Sequence, residues 1–459
     1  MSLSPFYDEN NPSSIIEYAT ALINNSLRRA CPPESIYGQY KGKGSFGQFL
    51  EKCYFGITPN SRSEPDFFNA GIELKSLPLR LLSKGKITAK ERMVLSIINY
   101  NSIVNEDFYN SLLWKKSKRM LIVFYLYAKE LHSLDQQIKD VRDFNMETSE
   151  LAEDLKIIRN DWLLIKSKIE NGFAHELSES DTLYLGACTK GSTSAKSYRS
   201  QPNSGILAKQ RAFSLKQSYM ATYISKNHVA LHRYSKKEES IISTIQDIGD
   251  SFDVRLYVES KFKTYFGYST GDLQRILGTN YSVISKAFLA QLTRGILGFK
   301  SNVPIKEFKK AGITVRTLKL EKSGILKEAI SFPAFKYCDI VEMEWEDSDL
   351  FKTFVNPFFF IVFEKTDTET RLSNAFFWSM PESNLNQVRG TWLETRKRII
   401  EGNSDSLPAA SETSVVHVRP HARNSADTIP LPTGGELVRK SFWLNRKYIF
   451  ERILINKTQ

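Results

Sequence analysis

The chain has 459 residues, of which 41% are apolar, and 63 Lys and Arg against 51 Asp and Glu give a formal net charge of +12. That length allows two or three domains, and the positive excess favours a polyanionic partner, nucleic acid first and an anionic membrane second. A charge that serves only solubility is the alternative. No apolar run approaches the ~20 residues that span a bilayer, no signal peptide is recognisable, and four scattered cysteines suggest neither disulfides nor zinc. We expect a cytoplasmic protein without a membrane partner.

The pattern of apolar and polar residues predicts two helices, then strands and a further helix, along the first half of the chain. After the expected strand around Glu73 a basic, polar segment leads to a hydrophilic linker at about Lys226 to Asp250. The expected elements are a helix near Ser14–Arg29, a helix over Gln48–Phe55, a long apolar strand at Met120–Tyr127, a helix near Asp161–Gly172 and the basic segment Thr182–Gln217.

One segment combines Asp66 with Glu73-Leu74-Lys75 on a predicted strand. Alternation along a strand turns Glu73 and Lys75 to one face and their apolar neighbours to the other, and Pro78 is expected to end the strand. Two carboxylates and an ammonium group at one sheet edge suit a hard divalent cation such as Mg²⁺ and the metal-assisted cleavage of a phosphodiester. A solvated strand edge without catalytic function is the alternative.

The pattern around Glu73 returns later in the chain, where Gly312 aligns with Gly71. Thr314 then stands for Glu73, and Arg316 stands for Lys75. Because threonine supplies no carboxylate, the second copy is expected to bind little metal and to be retained for binding. Chance similarity is the alternative. Two further matches follow in the same order, Trp162–Gly172 with Trp392–Gly402 and Arg211–Tyr219 with Lys440–Tyr448, and Glu307 takes the place of Asp66.

These motifs together resemble those of the GATC-cutting type II restriction endonucleases and of their single-domain relative, the mismatch-repair nicking enzyme MutH. The resemblance is carried by Lys43-Gly44-Ser45-Phe46-Gly47 with the helical Glu51, by Asp66-x6-Glu73-x-Lys75, and by Lys116. It implies an α/β (α+β) fold with two tandem restriction-endonuclease-like domains, each a mixed β-sheet flanked by helices. The predicted boundaries are residues 1–228 for the catalytic domain, 229–250 for a linker and 251–459 for the degenerate copy.

The resemblance also implies the chemistry of the first copy. Asp66 and Glu73 would bind Mg²⁺, and Lys75 would position the attacking water. Glu51 would assist from the second carboxylate shell or a second metal, and Lys116 would steady the scissile phosphate. The family's reaction is an in-line attack of water before the G of GATC, which leaves 5′-phosphate and 3′-hydroxyl ends.

A second set of residues is expected to contact DNA. The segment that ends in Thr189-Lys190 resembles the recognition loop in which a lysine after Arg-Pro reads guanine O6 and N7. This sequence has Cys188-Thr189 in place of Arg-Pro, whereas the second copy has the pair before His421. For the basic residues near Phe213 an ordinary basic surface is the alternative. The predicted DNA contacts are Lys43, Thr189, Lys190, Arg211, Lys216, Arg419 and His421.

The leading hypothesis is therefore a Mg²⁺-dependent type II restriction endonuclease that cuts double-stranded DNA at GATC. The C-terminal copy would bind a second site or promote dimerisation, and the protein would self-associate on DNA and be paired with a cognate DNA methyltransferase. One alternative is a MutH-type mismatch-repair nicking enzyme, against which the second copy argues. The other is a non-catalytic DNA-binding regulator, against which the intact first motif argues.

Overall fold

The computed structural model divides the chain into two compact units. The first unit is formed by residues 1–177 and 182–236, and the second by residues 178–181 and 237–459. Within the part of the chain that is described, no helix is both long enough and apolar enough to cross a lipid bilayer. The described residues are 6–33, 36, 44–58, 63–82, 85–190, 197–227, 238–244, 252–299, 303–326 and 329–454.

The first unit combines short helices and one long helix with mixed and antiparallel strands. Its helices are α1 (Pro12–Thr20), α2 (Leu27–Ala30), α3 (Ser45–Phe49), α4 (Leu112–Ser117), α5 (Ala152–Glu170) and α6 (Gln217–Asn227). Its strands are β1 (Glu73–Leu81), β2 (Ile87–Ala89), β3 (Met93–Ile97), β4 (Arg119–Leu126), β5 (Gln137–Asn145), β6 (Leu185–Thr189), β7 (Tyr198–Gln201), β8 (Ser204–Lys209) and β9 (Arg211–Leu215).

The main sheet of this unit has the strand order β2-β1-β4-β5. β1 runs parallel to β4, and their pairing begins with Glu73 opposite Met120. β4 is buried from Met120 to Tyr125, as expected for a strand that is covered on both faces. Leu74 packs into the core formed with α1 and α3. Since side chains alternate along a strand, Glu73 and Lys75 lie on the opposite face of β1.

The prediction that Pro78 ends the strand is wrong, because β1 continues to Leu81. Proline cannot donate to a β-ladder, and it is tolerated where no donor is required. The Pro78 carbonyl accepts the N–H of Lys90 at 2.8 Å, just beyond the end of β2 at Ala89. The missing N–H of Pro78 therefore faces the side on which the neighbouring strand has already ended.

A second, antiparallel sheet of the first unit has the order β3-β9-β6. Thr189, the last residue of β6, is paired with Arg211, the first residue of β9. Between these two strands the chain forms β7 and β8, which pair with each other as a two-stranded ribbon. The predicted DNA-reading residues thus lie at the end of this sheet, beside the ribbon.

The second unit contains the same kinds of element. Its helices are α7 (Val254–Lys263), α8 (Thr270–Ile276), α9 (Phe288–Ile296), α10 (Lys306–Ala311), α11 (Tyr337–Glu342), α12 (Asp349–Phe354), α13 (Glu382–Ile400) and α14 (Arg446–Tyr448). Its strands are β10 (Thr314–Leu320), β11 (Ile330–Ala334), β12 (Phe358–Lys365), β13 (Thr370–Trp378), β14 (Val416–Pro420), β15 (Thr428–Pro430), β16 (Glu436–Val438) and β17 (Lys440–Leu444).

The two units share the pairing of three strands in the main sheet and of three strands in the second sheet, while β2 pairs with β1 in the first unit alone among the described strands. β10 and β12 are parallel and begin with Thr314 opposite Phe358, as β1 and β4 begin with Glu73 opposite Met120. β13 is antiparallel to β12, and the sheet β11-β17-β14 matches β3-β9-β6. α5 and α13 each have 19 residues. Mixed sheets flanked by helices confirm the predicted α/β class.

Candidate active site

A tight turn brings Asp66 next to Glu73. Phe67 and Ile72 pair as antiparallel partners, and Gly71 closes the turn with a φ of 65°, a conformation that favours glycine. Asp66 and Glu73 flank this pair. The Asp66 N–H donates to Glu73 Oε2 at 3.3 Å, and the Leu74 N–H donates to Asp66 Oδ2 at 3.0 Å. The turn thereby places the two carboxylates of the sequence motif next to each other.

Two lysines approach the same carboxylate from different elements. Lys75 Nζ lies 2.5 Å from Glu73 Oε1, and Lys116 Nζ lies 3.5 Å from the same oxygen. Lys116 is in the last turn of α4, directly before β4, whose residue Met120 is paired with Glu73. The Glu73 side chain is only 2% exposed. A buried carboxylate is thus held between two ammonium groups.

Burial and repulsion between carboxylates raise the pKa values of Glu51 and Glu73. Burial raises the pKa of Glu73, which Lys75 opposes, while Asp66 raises it further. Burial, followed by repulsion from Asp66, raises the pKa of Glu51 to about 7. Glu51 lies in a π-helical turn over Leu50–Tyr54, directly after α3, and such turns are frequent at functional sites. The structure therefore brings together all five predicted catalytic residues.

The acidic groups of this cluster suit a divalent cation. Asp66 and Glu73 both raise the pKa of Glu51, so the three carboxylates are close enough to repel one another, and a cation would relieve that repulsion. Hard cations such as Mg²⁺ prefer carboxylate and water oxygens. Among the described residues, no group of three or more His, Cys, Asp or Glu side chains is arranged to hold a metal. Asp66 and Glu73 would therefore need oxygens of water or phosphate as further ligands.

The predicted DNA contacts of the first unit fall into two groups. Thr189 and Lys190 are exposed at the end of β6. Arg211 and Lys216 are each only 3% exposed. Arg211 Nη1 donates to the carbonyl of Ala187 at 2.8 Å, and Lys216 Nζ donates to a backbone carbonyl at 2.5 Å. This burial argues against direct phosphate contacts by Arg211 and Lys216. Lys43 lies outside the described residues.

In the second unit, Arg419 and His421 are exposed and share one aromatic neighbour. The Arg419 guanidinium lies 3.6 Å from the centre of the Trp443 ring, and the His421 ring contacts the same indole with a centroid distance of 5.2 Å. A cation over an indole face is attracted by the ring quadrupole. Sequence reasoning missed Trp443. The signal was available, because the repeat aligns Trp443 with Ser214.

The described residues of the second unit do not repeat the catalytic arrangement of the first. In the strand pairing, Thr314 takes the position that Glu73 has in the first unit. The buried Phe354, at the end of α12, takes the position that Lys116 has near the end of α4. Burial lowers the pKa of Arg316. Glu307, which the sequence aligns with Asp66, belongs to α10 and is only 1% exposed.

Glu307 instead anchors a segment of the predicted linker to the second unit. Its Oε1 accepts from Ser240 Oγ at 2.6 Å, and its Oε2 accepts the N–H of Ile241 at 2.9 Å. Arg294 pairs with Glu239 at 2.9 Å in the same segment. A carboxylate aligned with a predicted metal ligand therefore has a structural function in the second unit.

Comparisons with known proteins agree with these features. A family model described as DNA mismatch repair enzyme MutH matches residues 55–161, which include Asp66, Glu73, Lys75 and Lys116. Over 466 residues the chain is 33% identical to the type II restriction enzyme Sau3AI of Staphylococcus aureus, covering 90% of this chain and 93% of that enzyme. It is 25% identical over 229 residues to the DNA mismatch repair protein MutH of Shewanella sp. (strain MR-7), covering 49% of this chain and 99% of that protein.

The carboxylate pair and its lysines on a mixed sheet define, together with the matching family model, a nuclease of the MutH type. The similarity to a restriction enzyme extends over both units. The chain therefore belongs to the MutH-like family of type II restriction endonucleases, which are site-specific deoxyribonucleases.

Proposed function

We propose that the chain is a Mg²⁺-dependent type II restriction endonuclease that cuts double-stranded DNA at GATC, 5′ of the G, and leaves 5′-phosphate ends. One observation carries the chemical part of the proposal: Asp66, Glu73 and Lys75 meet at the end of one strand, with Lys75 Nζ 2.5 Å from Glu73 Oε1. The sequence specificity is supported by the resemblance of the motif set to GATC-cutting enzymes.

Each of the five predicted catalytic residues of the first unit would have its own role in the reaction. Asp66 and Glu73 would hold Mg²⁺, which, when bound, supplies Lewis-acid stabilisation of the charge that develops on phosphate oxygens. Lys75 would donate a hydrogen bond to the attacking water and keep it in line with the phosphorus. Lys116 would bind the scissile phosphate through its positive charge. Glu51 would complete the acidic cluster from the π-helical turn.

The second unit would bind DNA without cutting it, and we propose Arg419 and His421 as its contacts. Support comes from Thr314 and Phe354, which supply neither a carboxylate nor an ammonium group where the first unit has Glu73 and Lys116. One catalytic set per chain cuts one strand, so two chains would associate on DNA to break both strands. A cognate methyltransferase would protect the host genome, and the protein would act in the cytoplasm, where that DNA is found.

A plasmid digestion tests the proposed reaction. A plasmid with several GATC sites is incubated with the protein in Mg²⁺ or in EDTA, and the ends are mapped by sequencing. The proposal predicts linear fragments that end 5′ of the G in GATC and appear only with Mg²⁺. Nicked circles alone would indicate a MutH-type nicking enzyme, and binding without cleavage would indicate a DNA-binding regulator.

A further inference from the structure

The β7–β8 ribbon carries large apolar side chains on its surface. Tyr198 is 40% exposed, Ile206 is 56% exposed and Leu207 is 57% exposed. The two strands form a sheet of their own, and an isolated two-stranded ribbon is marginally stable in water. Three large apolar side chains that are each about half exposed on so small an element point to a binding surface.

Hydrogen bonds hold the turn of the ribbon in place. Gln201 is 5% exposed, and its Oε1 accepts the N–H of Ala174 at 2.7 Å. Its Nε2 donates to the carbonyl of Ile206 at 2.7 Å and lies 3.0 Å from His175 Nδ1. One buried amide thus joins both strands of the ribbon to the segment after α5.

The close approach of α5 fixes the same turn a second time. Asn203 Nδ2 donates to the carbonyl of Glu170 at 2.8 Å. A Cβ at Gly172 would lie 2.6 Å from the Asn203 carbonyl oxygen, so only glycine allows this contact. The ribbon is therefore a preorganised surface, and a partner could bind it without the cost of ordering it first.

The other end of the ribbon is continuous with the predicted DNA-reading strand. The N–H of Lys190 donates to the carbonyl of Gln210 at 2.8 Å, and the N–H of Gln210 donates to the carbonyl of Ser197 at 2.6 Å. Tyr198 follows directly. The ribbon would therefore lie beside a duplex that contacts Lys190.

The charge of this region selects a polyanion as the partner. In the sequence, no Asp or Glu stands between Thr182 and Lys237, and the ribbon itself contains Arg199 and Lys209. The corresponding ribbon of the second unit, β15 with β16, contains Glu436. The strands of the β7–β8 ribbon carry basic and no acidic side chains, so a second copy of the chain, with a net charge of +12, would be repelled there, whereas DNA would be attracted.

We propose that the β7–β8 ribbon is a docking surface for the duplex that flanks the recognition site, with Tyr198 and Leu207 as its principal contacts. The inference rests on the proposed function of the first unit. β-Ribbons enter DNA grooves, and apolar side chains insert into the minor groove of several DNA-binding proteins. The six residues of β8 extend about 20 Å, which corresponds to about six base pairs.

The test compares Tyr198→Ala and Leu207→Ser with Leu163→Ser, a change at a 40% exposed leucine of α5. DNA affinity is measured by fluorescence anisotropy in EDTA on two hairpin-capped GATC duplexes, one with about ten and one with about two flanking base pairs on each side. Both ribbon variants are expected to bind the long duplex at least about tenfold more weakly than wild type, because an apolar side chain loses its buried contact. All three variants should bind the short duplex as tightly as wild type does, and Leu163→Ser should also bind the long duplex as tightly as wild type does.

Equal affinities of wild type and both ribbon variants for the long duplex would overturn the proposal. So would a change in self-association measured by sedimentation with unchanged DNA affinity, which would make the ribbon a protein interface. Thermal melting of each variant verifies that the fold is retained. Because the two substitutions lie on separate strands, the test can still be made if one of the two variants does not fold. Failure of the proposed function gives a different result, since wild type would then neither cut GATC nor prefer it.

Discussion

Lys75 Nζ lies 2.5 Å from Glu73 Oε1, and the two side chains share one face of β1. Burial raises the pKa of Glu73, and Lys75 opposes that shift. The lysine therefore offsets part of the cost that burial imposes on the charged form of this carboxylate. In the proposed mechanism the same lysine would also hold the attacking water.

Replacing Lys75 with alanine is expected to slow cleavage much more than binding. Loss of a group that positions or deprotonates the attacking water lowers the single-turnover rate by about 10²–10⁴-fold. The measurement is single-turnover cleavage of a GATC duplex with Mg²⁺, beside binding in EDTA. Lys86→Ala serves as the control, because Lys86 follows the far end of β1. Leu81, at that end, lies about 26 Å along the strand from Glu73. A Lys75→Ala rate close to that of wild type would remove Lys75 from the mechanism.

Glu51 is expected to make the stability of the metal-free protein depend on pH. Its pKa is raised from 4.5 to about 7 in the folded state. Between these two values the folded protein holds the proton that the unfolded chain has lost, so stability falls as the pH rises from 4.5 to about 7. Below this window both states are protonated, and above it the loss is constant.

Thermal melting of Glu51→Gln in EDTA tests this pH dependence. The variant cannot lose a proton at this position, so its melting temperature relative to wild type should increase from about pH 5 to about pH 8. Glu51→Gln should also bind Mg²⁺ less tightly than wild type, since it removes one of three neighbouring carboxylates. A melting-temperature difference that stays constant over this range would contradict the raised pKa.

Lys190 and Lys216 are expected to respond differently to substitution. Lys190 is exposed beside the ribbon, and Lys190→Ala should weaken specific binding by about 1–3 kcal/mol and relax the choice of guanine. Lys216 is buried and donates to the Thr182 carbonyl, so Lys216→Met should lower the melting temperature and leave the affinity of the folded protein unchanged. Weaker binding by Lys216→Met at an unchanged melting temperature would instead make Lys216 a DNA contact.

Glu307→Ala is expected to release the linker segment from the second unit. The substitution removes the acceptor of the Ile241 N–H and of the Ser240 hydroxyl, at a cost of about 1–3 kcal/mol for a buried group left without a partner. Thermal melting and the rate of tryptic cleavage between the two units measure the effect. Glu344→Ala, a change at an exposed position, is the control. Melting and cleavage rates equal to those of the control would show that Glu307 does not anchor the segment.

The proximity of Asp66, Glu73 and Lys75 could be predicted from the sequence because their geometry is local. Asp66 and Glu73 are separated by one tight turn, and Lys75 follows on the same strand, so spacing and alternation suffice to place them. The approach of Lys116 required the parallel pairing of β1 with β4, which only the resemblance to a family supplied. Pro78 was misleading, because whether proline ends a strand depends on where the neighbouring strand stops.

Burial and long-range contacts could not be predicted from the same patterns. Arg211 and Lys216 are residue types typical of a DNA-binding surface, yet both are buried, one at the start of β9 and one directly after it, and both donate hydrogen bonds to backbone carbonyls. Glu307 aligns with Asp66, yet α10 turns it toward residues far away in the sequence. In each case tertiary packing decides the function of a charged side chain that the local sequence leaves open.

The most direct test of the central claim is a paired measurement on Glu73→Gln. Glutamine keeps the size of the side chain and removes its charge, so the fold and DNA binding should be retained. We expect single-turnover cleavage of a GATC duplex in Mg²⁺ to fall by at least about 10³-fold while affinity for the same duplex in EDTA stays within about threefold of wild type. Cleavage by Glu73→Gln at close to the wild-type rate would contradict the assignment of the active site to the end of β1.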